Sequence, residues 1–171
     1  MKRGVRAIIV ILLLAVFDSA RVMAQVPSNV SVLNAGNTSG DIRSNTAFTA
    51  GANSNINGNV VATQAITLGA YSTVTGSVTT GAAFTSGASS TIRGSVSAKA
   101  TFTSGANSII GGNVTVGGDF TSGAHSIISG DAYVAGTVTL GPGSRIFGSV
   151  RSGKGVIGRG SGATIGSVQP Y

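Results

Sequence analysis

Glycine recurs at positions 40, 58, 76, 94, 112, 130, 148 and 166, eight times at a spacing of 18 without a miss. Three further columns keep the same register. Two residues after each glycine comes Ile42, Val60, Val78, Val96, Val114, Ala132, Val150 or Val168. Ten residues before it comes Val30, Phe48, Ile66, Phe84, Phe102, Phe120, Val138 or Val156. Two residues before it comes Thr38, Ile56, Val74, Ile92, Ile110, Ile128, Ile146 or Thr164. A fixed period of this length is the mark of an array in which each unit buries its apolar face only against its neighbours.

Counting from the Val30/Phe48 column as position 1, apolar or small residues occupy positions 1, 3, 7, 9, 13 and 15 of each unit. Each pair is two residues apart, the period of a strand. Each unit therefore reads as three short strands and three corners. Phe102-Thr103-Ser104, Ser108-Ile109-Ile110 and Val114-Thr115-Val116 are the sides of one such unit; Gly105-Ala106-Asn107, Gly111-Gly112-Asn113 and Gly117-Gly118-Asp119 turn between them. The expectation is an all-β, single-domain triangular parallel β-helix, a β-solenoid of eight 18-residue rungs. Rungs spaced about 4.8 Å apart give eight of them a length of roughly 34 Å. Phe48, Phe84, Phe102 and Phe120 form the core aromatic stack in this reading, with Ser104, Ser108, Ser122 and Ser126 leaving room for the rings. The recurrent glycines Gly40, Gly58, Gly76, Gly94, Gly112, Gly130, Gly148 and Gly166 are structural corner residues, expected in a left-handed conformation. Thr38, Gly158 and Thr164 fall in core columns and weaken the outer rungs.

Residues 1–24 read as a signal peptide. Lys2, Arg3 and Arg6 precede an apolar run from Ala7 to Phe17, and Val22-Met23-Ala24 precedes Gln25 with small or aliphatic residues at the cleavage positions. The run is too short for a stable transmembrane span. Residues 25–29 are a short N-terminal segment, and 30–171 form the solenoid domain. The destination is the periplasm, the cell surface or the medium. Without cysteine no disulfide can form, so packing and the backbone ladder carry the stability. The formal charge of +7 falls to +4 once Lys2, Arg3, Arg6, Arg21 and Asp18 are set aside. Four of the remaining bases, Arg145, Arg151, Lys154 and Arg159, sit in the last two rungs, where an anionic surface polymer is a conceivable contact.

Ile66-Thr-Leu-Gly-Ala-Tyr-Ser-Thr-Val-Thr-Gly-Ser-Val78 and Val138-Thr-Leu-Gly-Pro-Gly-Ser-Arg-Ile-Phe-Gly-Ser-Val150 resemble the rung of bactofilins, the polymer-forming bacterial cytoskeletal proteins. The resemblance covers residues 30–171. It implies a right-handed β-helix that polymerises end to end without nucleotide. The chain departs from the family in its export signal and in having few acidic residues.

The inventory of reactive groups is short. His125 is the only histidine and lies at an outward corner, aligned with Asn53, Tyr71, Ser89 and Asn107. A catalytic imidazole needs an orienting partner and a nucleophile, and a metal site needs several ligands. Asp41, Asp119 and Asp131 fall in different rungs; Asp41 and Asp131 share a column but stand about 24 Å apart by rung stacking, too far for a glycosidase pair. No catalytic residue, metal ligand or cofactor site is expected, and glycine-rich strings such as Gly158-Arg-Gly160 are corners. Nor is nucleic acid an expected partner, because aromatic side chains do not interleave with the bases. The reading is an exported structural scaffold. Only Gln25 to Asn29 precede the first rung and Pro170-Tyr171 follow the last, with no cap helix, so open strand edges favour a homopolymer. The alternative is a surface-binding solenoid. Thr49, Thr67, Thr85, Thr103, Thr121 and Thr139 point outward from one side at the rung spacing, an array suited to ice or to a glycan of the cell envelope.

Overall fold

The computed structural model describes residues 25–26, 30–32 and 36–171. The segment read as a signal peptide, residues 1–24, lies outside the described residues.

The structure is all-β, with no helix among the described residues, and its strands pair in parallel. Three faces wind about one axis. The first is an eight-stranded sheet from Val30–Val32 through Phe48–Ala50, Ile66–Leu68, Phe84–Ser86, Phe102–Ser104, Phe120–Ser122 and Val138–Leu140 to Val156–Arg159. The second carries Ile42–Ser44, Val60–Ala62, Val78–Thr80, Val96–Ala98, Val114–Val116 and Ala132–Val134. The third carries the short strands Asn37–Ser39, Asn55–Asn57, Thr73–Val74, Thr91–Ile92, Ile109–Ile110 and Ile127–Ile128. Arg145–Ser152 runs through a corner as one strand and joins the second and third faces into a single sheet. Gln25–Val26 pairs with Arg43–Ser44, so the ladder on the second face starts ahead of Val30.

Strict alternation of buried and exposed residues follows from this winding. Phe102–Ser104, for example, buries its first and third side chains and exposes Thr103. The core is one continuous column: Phe48, Ile66, Phe84, Phe102, Phe120 and Val138 on the first face, with Ile56, Val74, Ile92, Ile110, Ile128 and Ile146 and the valines of the second face against them. Phe84 and Phe102 stack with ring centroids 4.8 Å apart, and Phe102 and Phe120 at 5.1 Å. The centroid spacing matches the interval between parallel strands, so each ring lies over the next without leaving its strand. The buried serines do more than make room. Ser54 Oγ donates to Gly51 O at 2.7 Å, Ser90 Oγ to Gly87 O at 2.8 Å and Ser126 Oγ to Gly105 O at 2.9 Å. Each satisfies a corner carbonyl that points away from the strand ladder.

The corner glycines correct one expectation. Of the eight, only Gly40 has a positive φ, at 100°. The left-handed position is instead the column of Asn53, Tyr71, Ser89, Asn107 and His125, all with φ between 56° and 58°, continued by Gly143 at 67°. What excludes a side chain at the recurrent glycine is its neighbour one coil away. A Cβ on Gly76 would lie 2.6 Å from Gly58 O, and one on Gly148 the same distance from Gly130 O. Stacked corners bring backbone against backbone with no space for a Cβ, so glycine follows glycine.

The last coil departs from the 18-residue register. Val156 sits over Val138, but Gly158 pairs with Thr139 and Arg159 with Leu140, one residue late. Thr164 then pairs with Arg145, and Ile165 with Ile146; the register returns at Ser167 over Ser149. Thr164 and Gly158 are therefore not in core columns. One extra residue near Ile157 lets isoleucine, not threonine, extend the isoleucine column, and burying the larger apolar side chain drives that choice. Thr38 does lie in its column, half-buried, and its Oγ1 has no hydrogen-bond partner among the described residues.

Candidate functional surfaces

The threonines sit where strand alternation puts them, at the centre of the first face. Thr49, Thr67, Thr85, Thr103, Thr121 and Thr139 are direct partners in adjacent strands. The first five are exposed and Thr139 is half-buried. The column ends at Gly158, where the register shifts. Beside it run Gly51, Gly69, Gly87, Gly105, Gly123 and Gly141, and on the other side Ala47, Ala65, Ala83, Thr101, Asp119 and Thr137. The face is thus low in relief, hydroxyl- and methyl-bearing, and carries a single charge. Coil spacing sets neighbouring hydroxyls about 4.8 Å apart.

The acids have a different use. Asp41 Oδ1 accepts from the backbone N–H of Asn59 at 2.8 Å and from its side-chain amide at 3.0 Å. Asn59 Oδ1 accepts from Ser77 N, Ser77 Oγ from Ser95 N, Ser95 Oγ from Asn113 N, Asn113 Oδ1 from Asp131 N, and Asp131 Oδ1 from Ser149 N. This is an unbroken corner ladder, in which one side-chain oxygen per coil accepts from the N–H one coil later. Asp119 acts likewise at another corner, taking Thr137 N at 2.7 Å and Thr137 Oγ1 at 2.8 Å. The signal for the ladder was present, since position 12 of every unit is Asp, Asn or Ser.

No family model, curated protein or solved structure matches this chain. Its surfaces are therefore read from geometry.

His125 lies exposed in the left-handed corner column, its backbone N–H donating to Pro142 O at 2.8 Å. Among the described residues, no three His, Cys, Asp or Glu come together in a way that could hold a metal ion, and there is no helix long and apolar enough to cross a membrane. At the last coil, Thr164–Gln169 is hydrogen-bonded to Arg145–Ser152 on one edge. No strand lies on its other edge among the described residues, and Val168 is 54 % exposed.

The ladder carries a pH dependence. The hydrogen bond from the Thr137 N–H, then that from its hydroxyl, hold the Asp119 carboxyl below the usual aspartate value of 3.8, with Lys154 adding a smaller pull. The Asn59 N–H and side-chain amide do the same for Asp41, helped by Arg43. A carboxyl whose pKa is lower folded than unfolded stabilises the fold above the unfolded value, and that contribution fades as pH falls through the folded one. Thermal stability should therefore be flat near neutrality and decline below about pH 4. The double variant Asp41→Asn, Asp119→Asn should show a shallower acid-side decline in melting temperature. An unchanged acid limb would assign the pH dependence elsewhere.

Proposed function

We propose that the chain is an exported, non-catalytic structural scaffold, similar to bactofilins, that self-assembles end to end through the edges of its terminal coils. The observation that carries this reading is the last coil, whose outer strand edge has no partner among the described residues and whose Val168 is exposed, so that N–H and C=O groups stand beside an apolar side chain. Such an edge is a template for another strand. The three carboxylates are consistent with a structural role, because Asp41, Asp119 and Asp131 each clamp the following coil. Negative-stain electron microscopy of residues 25–171 should show rods or filaments many times longer than one solenoid. Val168→Lys should abolish them with little effect on monomer stability, since a charged, hydrated side chain at the edge opposes pairing. Dispersed monomers at high concentration would refute the reading.

A second reading is supported by the in-register threonine face. It takes the solenoid as a binder of a regular surface, ice or an envelope glycan. A bulky Thr103→Tyr in the middle of the array should then remove thermal hysteresis or glycan retention while filaments persist. If neither property exists in the parent chain, this second reading fails.

A further inference from the structure

The second face ends in a group of side chains that neither reading uses. Tyr133, Arg151 and Gln169 are partners in successive strands. The Arg151 guanidinium carbon stands 5.8 Å from the centre of the Tyr133 ring, the arrangement of a cation–π pair. From its other side, Arg151 Nε and Nη2 donate to Gln169 Oε1 at 3.0 and 2.7 Å. The Tyr133 hydroxyl donates to Asp131 Oδ2 at 3.4 Å, and Asp131 is itself held by the Ser149 N–H. An exposed arginine on a flat sheet ordinarily samples many rotamers. Here it is fixed between a ring below and an amide above, so less conformational freedom is lost when a ligand binds.

Arginine has five N–H donors; two serve Gln169, and among the described residues no bond engages the other three. Arg151 is exposed, and Tyr133 is 38 % exposed. Bases outnumber acids around this end, where Asp131 stands at the Tyr133 hydroxyl and Asp119 within reach of the Lys154 charge. Residues 138–171 contain Arg145, Arg151, Lys154 and Arg159 and no acid, and all four bases are exposed. A planar guanidinium matches the two oxygens of a carboxylate. Apart from the Asp131 carboxylate, which is engaged by the Tyr133 hydroxyl and the Ser149 N–H, the neighbouring groups are neutral hydrogen-bonding ones, the Gln169 amide and the corner hydroxyls of Ser149 and Ser167, which are bonded to each other at 3.0 Å. They recur at the coil spacing along the axis, so an extended polymer lying lengthwise meets polar groups at every step.

We infer that the Tyr133–Arg151–Gln169 platform is a binding site for a carboxylated polysaccharide, with Arg151 taking a uronate carboxylate and the flanking polar groups taking ring hydroxyls. The site is separate from the threonine face and does not require self-assembly. The test uses the full chain and polygalacturonate as probe, with its methyl ester as the uncharged control, read by affinity electrophoresis. Retention is expected on polygalacturonate and not on the ester, and it should weaken as salt is raised because the patch is exposed. Arg151→Gln should weaken binding about tenfold. Arg151→Lys, which keeps the charge and loses the fork, should cost about threefold. Arg93→Gln removes an equal charge three coils away along the axis, about 14 Å by coil spacing, and should leave binding within about twofold. Equal losses for Arg93→Gln and Arg151→Gln would overturn the site in favour of undirected attraction. Full retention by Arg151→Gln would also overturn it. So would Arg151-dependent binding to phosphatidylglycerol vesicles without binding to polygalacturonate, which would make the partner a lipid surface.

Discussion

Replacing Phe102 with alanine is expected to lower the unfolding free energy by about 4 kcal/mol, measured from urea or guanidinium titration of the purified chain. The ring is fully buried and lies between Phe84 and Phe120, at 4.8 and 5.1 Å. Truncation removes the burial of the ring and both stacking contacts, and it leaves a void in the middle of the column. The void cannot collapse easily, because the coil interval is set by backbone hydrogen bonds along three faces and not by the side chains. In a solenoid, coupling runs only between neighbouring coils. The defect should therefore also loosen the link between the coils on either side, seen as faster amide exchange across Phe84–Ser86 and Phe120–Ser122 than in the parent. Phe102→Leu keeps most of the volume and should cost about 1 kcal/mol. A loss below about 1 kcal/mol for Phe102→Ala would mean that the stack is not what holds adjacent coils together.

The second large effect is expected at a corner. Gly76→Ala should destabilise by about 3 kcal/mol, because its new Cβ meets Gly58 O at 2.6 Å and Gly58 C at 2.7 Å. These are backbone atoms of the coil below, so relief requires the two coils to separate. Gly76→Asn separates the two possible reasons for a glycine here. If a left-handed backbone were the requirement, asparagine would be tolerated, since it enters that region more readily than other side chains. If the neighbouring backbone is the obstacle, asparagine should do as much harm as alanine. The control is Tyr71, which does hold a positive φ of 58°. Tyr71→Asn should change stability by less than about 1 kcal/mol, and in the favourable direction. Comparable tolerance at both positions would contradict the close-approach explanation. Thermal melts of the three variants against the parent decide the point.

The proposed self-assembly and the core draw on the same geometry. Any coil's backbone is complementary to another coil's, which makes the stack stable and is the physical basis of the end-to-end assembly proposed above. Val168 shows the consequence. It continues the column that buries Val150 completely, yet is itself 54 % exposed, because no coil follows it among the described residues.

Much of this architecture could be read from period and parity alone. Positions 1, 3, 7, 9, 13 and 15 of the unit are the ones that turn inward, as Phe48, Ala50, Ser54, Ile56, Val60 and Ala62 show in a single coil. An 18-residue repeat holding three apolar pairs has few other ways to bury them. The phenylalanine column and the threonine column follow from the same parity, since one residue's shift along a strand exchanges inside for outside. Three things were decided only by neighbouring coils. Glycine at the corner answers to a carbonyl 18 residues earlier; composition shows that a side chain is excluded but not what excludes it. Tyr71 and His125 accept a left-handed backbone because the corner geometry is imposed by the coils stacked on it, against their own preference. The last coil slips by one residue so that Ile165, and not Thr164, covers Ile146. Local sequence determines which side chains face the axis, because strand alternation is a property of one chain segment. Which atoms meet across the coil interval is a property of the stack, and only the folded structure contains it.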